Sequence, residues 1–114
     1  MKSYSLWIDK KKQAKIYQKK LVYNKNNKTV LVKTIYSGIS KGTEKLVSSK
    51  SVSQDQFELM KAPFQEGSFN LPIKYGYINV GNIIDGPGKY INKKIYMSLY
   101  IYMCTYKCVY IYVY

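Results

Sequence analysis

The chain has 114 residues, with 19 lysines against six acids for a net charge of +13, and no histidine or arginine. One domain of this size can remove roughly two-thirds of its unfolded surface from water. Without histidine there is no ready general base near neutral pH and no imidazole metal ligand, and without arginine there is no planar fork for phosphates or guanine edges. Lysine, asparagine, isoleucine and tyrosine all have A/T-rich codons. The basic excess therefore reads as base composition, and a nucleic-acid partner is not expected from charge alone.

Taken in order, YSLWI (residues 4–8) reads as a first strand and Asp9–Lys12 as a polar turn. AKIYQKKLVY up to Tyr23 is a second, weakly apolar extended segment, and YNKNNKT is an asparagine-rich turn. Thr29 to Tyr36 alternate. Val30, Val32, Thr34 and Tyr36 share one face, and Leu31, Lys33 and Ile35 the other. Both faces are largely apolar, which predicts a strand interior to a sheet or barrel. The stretch SGISKGTE (37–44) reads as a tight polar loop with no helix after it, and SSKSVSQ as a flexible connection. QDQFELMK (54–61) predicts the one short helix, ended by Pro63, with Phe57 and Met60 three apart. APFQEGSFNLP is a loop held by Phe64 and Phe69. Ile73–Ile84 reads as one long strand with Gly76 and Gly81 at bulge or close-approach positions, DGPG as a turn, and Lys94–Tyr96 as the start of a further strand. Short strands, Gly-rich turns and little helix predict a mainly β, partial barrel.

From Tyr100 the chain runs YIYMCTYKCVYIYVY, a period-two alternation of Tyr/Cys with Ile/Met/Thr/Val that only Lys107 breaks. It has two compatible readings: a strand, and the translation of a pyrimidine–purine dinucleotide repeat reached by a frameshift, a missed splice site or a false gene end. Cys104 and Cys108 are too few ligands for structural zinc. With no signal-peptide pattern at the N-terminus and no ordinary membrane segment, the expected compartment is the cytoplasm, with reduced thiols. The organisation expected is a domain over residues 1–96 and a low-complexity Tyr-rich tail over 97–114.

SGISKGTE (37–44), PIKYGYINVGNII (72–84) and GPGKYINKKIY (86–96) form an ordered set. In this order and spacing the chain resembles the N-terminal, GroES-like catalytic domain of the medium-chain dehydrogenase/reductase superfamily, the zinc-type alcohol dehydrogenase group. LVKTIYSGIS and APFQEGSFNLPIKYGY are similar to one branch of it. The resemblance implies a GroES-like partial barrel, incomplete at its C-terminus, and hydride transfer between a small alcohol or carbonyl substrate and NAD or NADP.

It also implies site residues. The family's first zinc ligand is a cysteine after Gly-Ile or Gly-Val; here Gly38-Ile39 is followed by Ser40. Its histidine ligand lies in Gly-His-Glu; here the triplet is Gly76-Tyr77-Ile78. Serine and tyrosine are not usual zinc ligands, so zinc is not expected. Thr43 falls where the family relays the substrate proton, and Glu44 where an acid orients its neighbours, although Lys41 stands as an insertion in that spacing. Tyr77 can offer a phenol to the substrate oxygen in place of the metal. The structural readings stand beside these: Ser40 and Thr43 as turn caps, Tyr77 as core or pocket wall, and Lys74, Lys93 and Lys94 as solvated surface.

No G-x-G-x-x-G or Walker pattern occurs, so this chain is not expected to bind the nicotinamide cofactor and should be inactive alone. Two alternatives remain: a stand-alone basic GroES-like binding module with salt-dependent affinity for a polyanion, and a non-functional product of a broken gene. Oligomeric state and substrate identity are not legible.

Overall fold

The computed structural model describes residues 1–61 and 65–98, and the backbone of 109–112. These residues are mainly β, in two antiparallel sheets that do not close into a barrel. The first sheet has the order β2–β1–β4, from β1 (Lys2–Ile8), β2 (Ala14–Lys20) and β4 (Ile73–Lys74). The second has the order β6–β5–β3–β7, from β3 (Thr29–Gly38), β5 (Ile78–Asp85), β6 (Lys94–Ser98) and β7 (Val109–Tyr112).

The turn after β1 is built by Asp9, whose Oδ1 accepts from the backbone N–H groups of Lys11 and Gln13 at 2.8 and 3.0 Å. That side chain closes the connection and sets the register of Leu6 opposite Ile16 and Ile8 opposite Ala14. β2 is exposed along its whole length, as a lysine-rich edge strand should be.

β3 lies between β5 and β7, as its two apolar faces predict. Only its first half is buried on both faces: Thr29 to Val32 are enclosed, whereas Ile35 and Tyr36 are exposed. Val30 and Val32 pack with Ile83 and Met97 in one core cluster. Each such buried aliphatic side chain contributes on the order of 1.5–3 kcal/mol. A second cluster joins Ile8 and Ile73 of the small sheet to Val47, Phe69, Leu71 and Tyr75.

Three expectations are corrected. SGISKGTE is not a loop throughout. Ser37 and Gly38 end β3, and Lys41 starts α1 (Lys41–Ser48), with Ser40 as its N-cap. The glycines at 38 and 42 hide the helix, yet a serine can accept from the backbone N–H three residues on and so start one. α1 buries Val47 and Glu44. It stands in addition to the helix expected at 54–61, which is present as a 3-10 turn over Gln54–Gln56 followed by α2 (Phe57–Met60). Phe57 and Met60 both pack on the second core cluster.

The run Ile73–Ile84 is not one strand. It breaks at Tyr75–Tyr77, where Gly76 has φ +141°, and its two parts join different sheets. A side chain at that φ would be strained, so glycine permits the turn from one sheet into the other. Lys74 is not solvated surface: it is 6% exposed, and its ammonium donates to Glu66 Oε1 at 2.8 Å. Lys93 and Lys94 are exposed as expected.

In the tail, Val109–Tyr112 pairs antiparallel with Thr29–Val32, consistent with the strand reading of that part. Pro63, Phe64, Cys104, Cys108 and the rest of the alternating tail lie outside the described residues. No helix among the described residues is long and apolar enough to cross a membrane.

Candidate functional site

Ser40, Thr43 and Tyr77 come from two elements that the sequence separates and the fold joins. Ser40 closes the N-terminus of α1: its Oγ accepts from the Thr43 N–H at 3.4 Å, and its carbonyl accepts from the Glu44 N–H at 3.0 Å. A serine cap of this kind stabilises a helix by typically about 1 kcal/mol. It also aligns a second contact. Ser40 Oγ donates to Thr43 Oγ1 at 3.2 Å.

Thr43 Oγ1 in turn lies 3.2 Å from Tyr77 Oη. Tyr77 sits at the sheet-to-sheet crossing just before β5 and packs against both core clusters. The result is a part-buried chain of three hydroxyls, Ser40–Thr43–Tyr77, held by a helix cap at one end and by the packing of a tyrosine ring at the other. If Ser40 donates to Thr43, the single Thr43 proton is left for Tyr77, and the Tyr77 proton is left to point outward.

Glu44 follows on the same helix turn. It is 8% exposed, and among the described residues neither carboxylate oxygen has a hydrogen-bond partner. It therefore makes no hydrogen bond to the three hydroxyls. Beside it stands Tyr75, 5% exposed. Burial, together with the Glu44 carboxylate and the Tyr77 phenol, pushes the Tyr75 phenol up to about 12. The Tyr75 and Tyr77 rings meet edge to face, with centroids 6.2 Å apart. Tyr75 was not singled out by the sequence. The signal available was its place one residue before the crossing glycine, in IKYGY.

A cleft of about 370 Å³ opens beside α1, lined among others by Ile8, Ser40, Glu44 and Tyr75, with Lys12, Lys41 and Lys45. Ser40 thus belongs both to the hydroxyl chain and to the cleft wall.

The donor set does not suit zinc. Hydroxyls of serine, threonine and tyrosine are poor ligands for it, and these three already bond one another. Among the described residues no three His, Cys, Asp or Glu groups converge. At the start of α1 the Thr43 N–H is taken by Ser40 Oγ.

Comparison with protein-family models, with curated proteins and with solved structures finds no match for this chain.

Proposed function

We propose that this chain is the substrate-side domain of a zinc-free, NAD(P)-dependent oxidoreductase that interconverts a small alcohol and its carbonyl compound. The observation that carries this reading is the hydroxyl chain Ser40–Thr43–Tyr77, at 3.2 Å for each link. Its members are the residues that the resemblance to the medium-chain dehydrogenases selects. The nicotinamide, carried by a domain outside the described residues, would supply or accept the hydride.

Reduction of a carbonyl also consumes one proton at oxygen. Tyr77 holds that proton on its phenol and donates it to the substrate oxygen. Thr43 passes its own proton to Tyr77 and takes one from Ser40, and Ser40 takes its replacement from water in the cleft onto which it opens. In the oxidation direction each transfer reverses. Three linked hydroxyls move a proton without any of them bearing a charge for long, which suits a site with no imidazole.

The test joins the full chain to a nicotinamide-binding domain and follows the cofactor's absorbance with a panel of small aldehydes and ketones. Tyr77→Phe is expected to lower kcat by about 10²-fold or more, the usual worth of a positioned general acid. Turnover unchanged in Tyr77→Phe would remove the reading. So would tight nicotinamide binding by the isolated chain in calorimetry, because the proposal places that function elsewhere.

A further inference from the structure

The second sheet turns a patterned face to solvent. Across β3, β5 and β6 the register places Tyr36, Val80 and Tyr96 in one cross-strand row. Lys33, Asn82 and Lys94 form the next row. Alternation along β5 and β6 puts Val80 with Asn82, and Tyr96 with Lys94, on the same face. On β3, Lys33 and Tyr36 are an odd number of positions apart, which in a regular strand would set them on opposite faces. A bulge at Ile35 absorbs the extra residue, so that Thr34 lies opposite Gly81 and Tyr36 opposite Val80. The other face of these strands sends Val32, Ile83 and Met97 into the core. Tyr36 and Tyr96 are 73% and 65% exposed, and Lys33 and Lys94 are exposed as well. Neither lysine joins an ion pair among the described residues. No acidic residue stands in either row.

Charge alone does not choose a partner, but the two rows together do. The rings offer π-faces to flat groups, and the lysines beside them offer charge to anions. Bases and phosphates alternate in the same way along a single strand of nucleic acid. We propose that this face binds single-stranded nucleic acid, running across the sheet from β3 to β6. One base stacks on Tyr36 and another on Tyr96, while phosphates meet Lys33 and Lys94. The two rings stand on strands two spacings apart, roughly 10 Å, whereas stacked bases in a duplex are roughly 3.4 Å apart. The bound strand is therefore splayed, with these bases unstacked from one another. A duplex keeps its bases inside and gives the rings nothing to stack on. The chain has no arginine to read base edges, so binding tolerates changes of sequence. The site uses none of Ser40, Thr43 and Tyr77, and its readout is binding without turnover.

The experiment titrates a fluorescein-labelled oligothymidylate of about twelve nucleotides with the full chain, by anisotropy at several salt concentrations. Saturable binding is expected, at least about tenfold tighter than to a duplex of the same length or to inorganic polyphosphate. Tyr36→Ala and Tyr96→Ala are each expected to lower affinity by about tenfold, whereas Tyr36→Phe and Tyr96→Phe keep it, because stacking needs the ring and not the hydroxyl. The double variant Lys33→Gln, Lys94→Gln should make the slope of log affinity against log salt shallower by about 1.4, for two phosphate contacts at roughly 0.7 each. Tyr17→Ala, on an exposed strand of the other sheet, should leave affinity unchanged. Melting temperatures are checked alongside, and if an alanine variant does not fold, the lysine slope and the duplex comparison decide. The proposal is overturned by no saturable binding, by duplex or polyphosphate binding as tight, or by unchanged affinity in the folded alanine variants. Loss of binding in the phenylalanine variants or in Tyr17→Ala, or an unchanged salt slope in the lysine variant, overturns it equally.

Discussion

Thr43 is the residue on which the site turns. It receives the Ser40 hydroxyl, bonds Tyr77, and gives its own N–H to the helix cap. A double-mutant cycle with Thr43→Val and Tyr77→Phe isolates the link between them. The expected coupling is about 0.5–1.5 kcal/mol in chemical denaturation, the net worth of one hydrogen bond. A coupling near zero would mean that the two hydroxyls do not bond in solution. Glu66 is a second residue with a defined energetic role. Desolvation pushes its carboxyl up, but hydrogen bonds from Lys19 and Lys74 outweigh this and hold it below the usual 4.5. Its folded value is therefore below its unfolded one. The stabilisation it gives is complete above the ordinary carboxylate range and is lost as pH falls through the lower folded value. Glu66→Gln should flatten that acid limb of the stability curve. It should also cost about 1–3 kcal/mol at neutral pH, because the Lys74 ammonium stays buried without its carboxylate. Thermal melts from pH 7 downward measure both. The residue types at these positions were readable from the sequence. That Lys74 is buried was not, because nothing local marks Glu66 as its partner across the turn.

At the scale of elements, the strands that alternate cleanly were legible and the interrupted ones were not. TVLVKTIY forms a strand whose first half packs into a core cluster, whereas in the strand YSLWI the buried positions are Ser5 and Ile8. The helix over Lys41–Ser48 was missed because Gly42 and the serines around it suggest a turn, while the cap that starts the helix needs only Ser40 and the N–H of Thr43. The two glycines Gly42 and Gly81 now make contrasting predictions. A Cβ at Gly42 would meet nothing within 4 Å, so Gly42→Ala should raise stability by about 0.5 kcal/mol through lower unfolded-state entropy. At Gly81 a Cβ would come within 2.4 Å of Val32 Cγ1 and 2.6 Å of the Lys33 carbonyl oxygen. Gly81→Ala should therefore cost about 1–3 kcal/mol, as overpacking does, by forcing β3 and β5 apart. Equilibrium unfolding in urea checks the pair, and opposite signs are the expected result. The same close approach explains why the expectation at Gly81 was sound although the strand containing it was drawn too long.

For the molecule as a whole, the outcome depends on how its two sheets share one chain. β7 covers the free side of β3 along Thr29–Val32, a run of buried residues. Truncation after Ser98 would bare that edge, and an uncovered strand edge pairs with other chains. The shortened protein is expected to scatter more light and to elute earlier in gel filtration than the full chain at equal concentration. Identical behaviour of the two would mean that β7 does not protect the edge. The sequence alone determined what short-range rules govern: the alternating strand from Thr29, the turn at Asp9 and the mainly β character. These follow from side-chain period and turn chemistry, which need only a few neighbouring residues. Tertiary structure decided what distance along the chain conceals. It divided Ile73–Ile84 between two sheets at Gly76, buried Lys74 against Glu66, left Glu44 enclosed beside a lysine-rimmed cleft, and set Tyr77 against Thr43, 34 residues away. The physical reason is that a hydrogen bond or a buried charge depends on which surfaces pack together, and no local pattern encodes that choice.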